Sequence, residues 1–122
     1  MKKGLMVLAA ALVGALTACG AIQGTNATFT RVGDGVRLTN PGPATLQEPY
    51  MRLEGPGLIL GYPCVARAVE VYGCPLADVA PPGDTTKGYV DIVPTSGSIQ
   101  RGAVDFYLPG SVFLKRLELP PK

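Results

Sequence analysis

Glycine and proline interrupt this chain so often after residue 19 that no helical period of ten or more residues survives between them. Residues 19–122 hold all 12 prolines and 14 of the 16 glycines, so 26 of these 104 residues are breakers. Proline removes a backbone donor and clashes inside a helix, while glycine costs conformational entropy in any regular element. Such a density approaches that of disordered chains. Here, however, the breakers punctuate apolar runs instead of diluting them, which leaves short extended segments joined by tight turns.

The runs between breakers read as strands over Thr28–Val32, Val36–Thr39, Tyr50–Glu54, Leu58–Tyr62, Val69–Gly73, Gly88–Val93, Val104–Leu108 and Val112–Leu119. Several alternate as half-buried strands do. Val90 and Ile92 share one face, with Tyr89 and Asp91 on the other. Val104, Phe106 and Leu108 likewise oppose Asp105 and Tyr107. Val112-Phe113-Leu114 breaks the alternation, which implies burial on both faces or a bulge. Gly33-Asp34-Gly35 has the residues of a tight hairpin, and Pro81-Pro82-Gly83-Asp84 and Pro109-Gly110-Ser111 those of proline-led turns. Short strands at regular spacing predict an antiparallel β-sandwich.

The first 18 residues have a different character. Lys2 and Lys3 precede an apolar run from Leu5 to Leu16, followed by Thr17-Ala18-Cys19. A basic start, a short apolar stretch and small residues at the cut describe a secretory signal. Residues 4–18 would reach only about 22 Å as a helix, at roughly 1.5 Å per residue, which falls short of the ~20 residues that span a bilayer. Leu16-Thr17-Ala18-Cys19 resembles the lipobox of bacterial lipoproteins. That resemblance implies a signal-peptide helix over 1–18 and lipidation of Cys19. The small, polar residues that follow read as a tether, giving a lipidated N-terminus and tether over 19–26, and the remaining length suits one domain, over 27–122. Two or more acyl chains anchor a protein stably in a membrane. The expected location is the bacterial cell envelope. Gly20 stands where some double-membrane bacteria use aspartate for inner-membrane retention, so the outer membrane is expected where there are two.

Removing residues 1–18 also removes Lys2 and Lys3, leaving nine basic and nine acidic residues. A neutral domain offers no global electrostatic attraction for nucleic acid. Lipidation consumes one of the three cysteines and leaves Cys64 and Cys74. An even pair in an oxidising compartment is most simply a disulfide. For so short a loop, chain-entropy arguments give roughly 2.5–3 kcal/mol. The alternative is a redox or metal-binding pair. The spacing is not that of a CxxC motif, and the chain has no histidine to complete a zinc site.

Four segments in order then resemble one bacterial family. They are Asn40-Pro41-Gly42-Pro43-Ala44-Thr45, Pro56-Gly57-Leu58, Cys64 with Val71-Tyr72-Gly73-Cys74-Pro75-Leu76, and Val79-Ala80-Pro81-Pro82-Gly83-Asp84. Together they resemble the turns and cysteine-bridged hairpin of the conserved-repeat domain of unknown function eleven, over roughly Asp34 to Val93. The resemblance implies an immunoglobulin-like sandwich outside the cytoplasm, in one copy where the family often has arrays. It implies no catalytic residues and no cofactor.

The residues themselves point away from catalysis. Without histidine the commonest general base is missing, and Ser96, Ser98 and Ser111 lie in turns. Asp34, Asp78 and Asp84 adjoin turns, while Asp91 and Asp105 read as solvated strand residues. No metal ligand set is expected. Tyrosine is favoured at contact surfaces, and Tyr89 and Tyr107 lie opposite their strands' apolar faces. Val112–Leu119 reads as a sheet edge guarded by Lys115 and Arg116. The expected function is a non-enzymatic, lipid-anchored envelope module that scaffolds or binds another envelope protein or glycan. An inhibitor of an external lysozyme or protease is the main alternative, and a carboxylate-dependent glycan hydrolase a weaker one.

Overall fold

The structure, a computed structural model, describes residues 26–108 and 112–121. The expected signal peptide, Cys19, the expected tether up to residue 25 and the turn expected at Pro109-Gly110-Ser111 lie outside the described residues. Within them there is no helix, and eight strands follow one another: β1 (Thr28–Val32), β2 (Gly35–Thr39), β3 (Tyr50–Glu54), β4 (Val65–Ala68), β5 (Val71–Pro75), β6 (Tyr89–Ile92), β7 (Arg101–Leu108) and β8 (Val112–Glu118). All pairings are antiparallel, in a three-stranded sheet β1-β2-β6 and a five-stranded sheet β4-β5-β3-β7-β8. The orders β1-β2-β6 and β3-β7-β8 reproduce the A-B-E and C-F-G arrangement of an immunoglobulin-like sandwich. The hairpin β4–β5 extends the second sheet beyond β3.

Alternation decides which faces meet. Phe29, Val36, Leu38 and Ile92 from one sheet and Met51, Leu53, Cys74, Val104 and Phe106 from the other are buried together. Each such side chain is worth about 1.5–3 kcal/mol relative to exposure. The β1–β2 hairpin closes through Gly33-Asp34, where Gly33 has φ +60° and Asp34 does not enter the left-handed region, the pattern of a II′ turn. Cys64 and Cys74 form a disulfide. They continue the register Val65↔Gly73, so the bond clamps β4 to β5, with Cys74 fully inside the core.

Two polar groups tie the layers together. Asn40 is completely buried, and its Nδ2 donates to the carbonyls of Ala44 and Val79, both at 2.8 Å. Its Oδ1 accepts from the Gly42 amide at 2.9 Å, and Gly42 adopts φ +104°, which side chains resist. This gives the Asn40-Pro41-Gly42 segment its physical meaning: the side chain locks the β2–β3 connection against the segment after β5. Arg31, on the same face of β1 as Phe29, donates to the carbonyls of Ile99 (2.6 Å), Gln100 (2.9 Å) and Pro120 (3.0 Å). One guanidinium thus fastens the first sheet to the residues flanking β7 and β8.

The structure corrects two local expectations and decides a third between its two alternatives. Leu58–Tyr62 is not a strand; Leu58 and Leu60 are buried and alternate with exposed Ile59, but its one ladder contact is the isolated bridge Ile59↔Ser96. β4, with every residue exposed, takes its place beside β5. Asp105 is not solvated, since its side chain is only 13% exposed beneath Arg116. The irregularity near Phe113 is a bulge, with the register shifting opposite Phe106 and Tyr107.

Candidate functional site

Because Val104 and Phe106 fill the core, their neighbours Arg101, Ala103, Asp105 and Tyr107 fall on the outer face of β7. The register sets Asp105 opposite Arg116, Ala103 opposite Glu118 and Tyr107 opposite Phe113 on β8. On the other side it sets Tyr50, Arg52 and Glu54 of β3 opposite Asp105, Ala103 and Arg101. The result is a patterned face of alternating charges with an aromatic end.

Arg116 grips Asp105 with two parallel bonds, Nε to Oδ1 at 2.6 Å and Nη2 to Oδ2 at 2.9 Å. This fork-to-fork geometry is the strong form of an ion pair. The hydrogen bond to Asp105 raises the Arg116 pKa above its ordinary value, and the charge of Asp105 and then of Glu118 adds to it against partial desolvation. Beside the pair, the Tyr107 and Phe113 rings meet edge to face, with centroids 6.0 Å apart and planes at 75°. Phe113 is 55% exposed. Below the pair, Arg52, Arg101, Arg116, Glu54 and Glu118 rim an open groove of about 640 Å³ with Ala103 among its lining residues. Arg52 lies 3.6 Å from Glu54. Guanidinium donors, carboxylate acceptors and aromatic edges are recognition chemistry.

β8 is also an open edge of its sheet. The Leu119 amide donates to the Gly102 carbonyl, and in an antiparallel ladder alternate residues bond to the neighbour. Leu117 and Lys115 therefore direct their backbone groups at β7, and Arg116 and Glu118 direct theirs outward.

The four residues expected to make partner contacts do not form one cluster. Tyr107, Lys115 and Arg116 lie on β7 and β8, with Lys115 half-buried opposite Phe106. Tyr89 is on β6, on the outer face of the opposite sheet. There Arg37 stacks on its ring at 3.9 Å and Lys87 approaches it at 5.7 Å. Arg37 also forks onto Asp91, at 2.7 and 2.9 Å. That hydrogen bond holds the Asp91 carboxyl below its ordinary range, against partial desolvation and with help from the charges of Arg37 and Lys87. Sequence reasoning missed Asp105 and Phe113 as parts of the β7–β8 surface. The spacing of Asp105 and Arg116 around a turn was the available signal for the pair, but the bulge hid it.

Among the described residues, no group of three or more His, Cys, Asp or Glu is placed to hold a metal. None of the described residues forms a helix long and apolar enough to cross a membrane. No protein-family model matches this chain, and no curated protein and no solved structure matches it either.

Proposed function

We propose that this chain is a non-enzymatic, lipid-anchored module of the bacterial cell envelope that holds another envelope component by strand addition to β8. The observation that carries the binding part is the open edge, seven residues long, with outward backbone groups at Arg116 and Glu118 and exposed Phe113 alongside. Strand addition takes affinity from backbone hydrogen bonds and specificity from flanking side chains. Support for the address comes from Leu16-Thr17-Ala18-Cys19 and from the Cys64–Cys74 bond, which suits an oxidising compartment. The resemblance to the conserved-repeat domain of unknown function eleven agrees with a module displayed outside the cytoplasm. Lipid on Cys19 would hold it to the outer membrane where there are two membranes.

Crosslinking on intact cells, followed by mass spectrometry of what is attached to the chain, tests this reading. Deleting residues 112–122 abolishes capture of the partner. Glu118→Pro does the same while leaving the β7–β8 ladder in place, because the amide at this position points outward. Capture unchanged by Glu118→Pro in a folded chain overturns strand addition at β8. Stoichiometric suppression of lysozyme or a protease by the unlipidated chain would replace the scaffold reading with that of an inhibitor.

A further inference from the structure

The strand that best fits the β8 edge is another β8. We infer that two copies of this chain pair β8 against β8 about a twofold axis through Leu117, joining their five-stranded sheets into one continuous sheet. The inference rests on the reading of β8 as a strand-addition edge and names what is added.

Three features select this register. The first is hydrogen-bond parity. An antiparallel pair exchanges both bonds only where the outward-facing residues of the two strands stand opposite each other. Arg116 and Glu118 are outward-facing, as the Leu119–Gly102 bond requires. Centring the axis on Leu117 sets Arg116 of each copy against Glu118 of the other, two such pairs related by symmetry. An isologous contact of this kind uses one patch twice and closes on itself.

The second feature is charge. Arg116 and Glu118 share the outer face of β8, opposite Asp105 and Ala103 respectively. In the paired register each Arg116 lies between Asp105 of its own chain and Glu118 of the other copy. Asp105 occupies Nε and Nη2 of the guanidinium, which leaves Nη1 for the second carboxylate. Opposite charges directly across strands stabilise a sheet, and like charges destabilise it. A shift of two residues either way breaks the match, placing Arg116 against Arg116 or Glu118 against Glu118.

The third feature limits the contact. Pro120 cannot donate, its carbonyl is taken by Arg31, and the bulge opposite Phe106 and Tyr107 ends the regular ladder on the other side. The pairing is therefore short and suited to chains held at high local concentration on one membrane. Rotation about an axis normal to the sheet keeps both three-stranded sheets on one side. The two β1 strands then lie on the same side of the joined sheet.

Cysteine scanning of the full-length chain on intact cells reads this directly. In the inferred register position 117 lies opposite itself at a non-hydrogen-bonded site, the closest approach between paired strands. Leu117→Cys gives a covalent dimer under mild oxidation, and Arg101→Cys, away from the edge, does not. Adding Glu118→Arg lowers the cross-linked fraction by about fivefold. Cells expressing E118R and R116E chains together, each carrying L117C, restore it as a mixed dimer, because both charge pairs become attractive. Equal crosslinking at 117 and 101, or none at 117, overturns the β8–β8 pairing. In that event, capture of a different partner that Glu118→Pro still abolishes leaves the strand-addition reading standing, and capture insensitive to it removes both.

Discussion

Asp105 lies almost covered beneath Arg116, while Arg116 itself stays half exposed, with side-chain accessibilities of 13% and 52%. The asymmetry makes the two partners unequal. A carboxylate left covered without its cation keeps its desolvation cost, whereas a guanidinium without its anion rehydrates. Arg116→Ala therefore lowers the urea-denaturation midpoint more than Asp105→Asn, and the double variant falls short of the sum of the two. Equal effects would mean that the pair is an ordinary surface contact.

Asn40 satisfies two carbonyls and one amide from inside the protein. Asn40→Ala strands these groups and costs about 2–3 kcal/mol. Asn40→Asp costs more, because a carboxylate oxygen then faces the Ala44 and Val79 carbonyls. Chemical denaturation of the three proteins gives the ranking.

Arg31 holds three carbonyls with one planar group. Lysine carries the same charge but not the fork. Arg31→Lys loses about 1–2 kcal/mol, and hydrogen exchange at the amides around Ile99 and Leu119 accelerates.

Asp91 supplies a pH dependence of known sign. Its hydrogen bond to Arg37 depresses the folded-state pKa. The stability it contributes is present above the unfolded carboxylate value of about 3.9 and is lost as pH falls through the lower folded value. Asp91→Asn flattens this acid limb. Denaturation midpoints followed from about pH 6 to about pH 3 show a smaller drop in the variant than in the parent.

Where side chains alternate between clear breakers, the extended segments were legible on an edge and in a sheet interior alike: Thr28–Val32 and Tyr50–Glu54 form strands with the boundaries their residues suggest. Leu58–Tyr62 misleads because burial alternates there without a ladder, and Gly57, Gly61 and Pro63 break the pairing on both sides. β4 is the converse. Nothing in Val65-Ala66-Arg67-Ala68 alternates, and its extension is imposed by pairing with β5 beside the Cys64–Cys74 bond. The edge character of Val112–Leu119 could be read from its length and its charges. The cover over Asp105 could not, because a carboxylate between apolar neighbours looks solvated until Arg116 is brought across from β8. Nor could the distance between Tyr89 and the β8 surface, which depends on the assignment of strands to sheets.

The proposed export, cleavage before Cys19 and lipidation there are tested most directly by the intact mass of this chain, expressed from Met1 and recovered from bacterial membranes. The predicted result is a polypeptide starting at Cys19, heavier than its sequence by two or more acyl chains and lighter by the two hydrogens of the Cys64–Cys74 bond. A chain that retains Met1, or one that begins elsewhere with an unmodified residue, would contradict it.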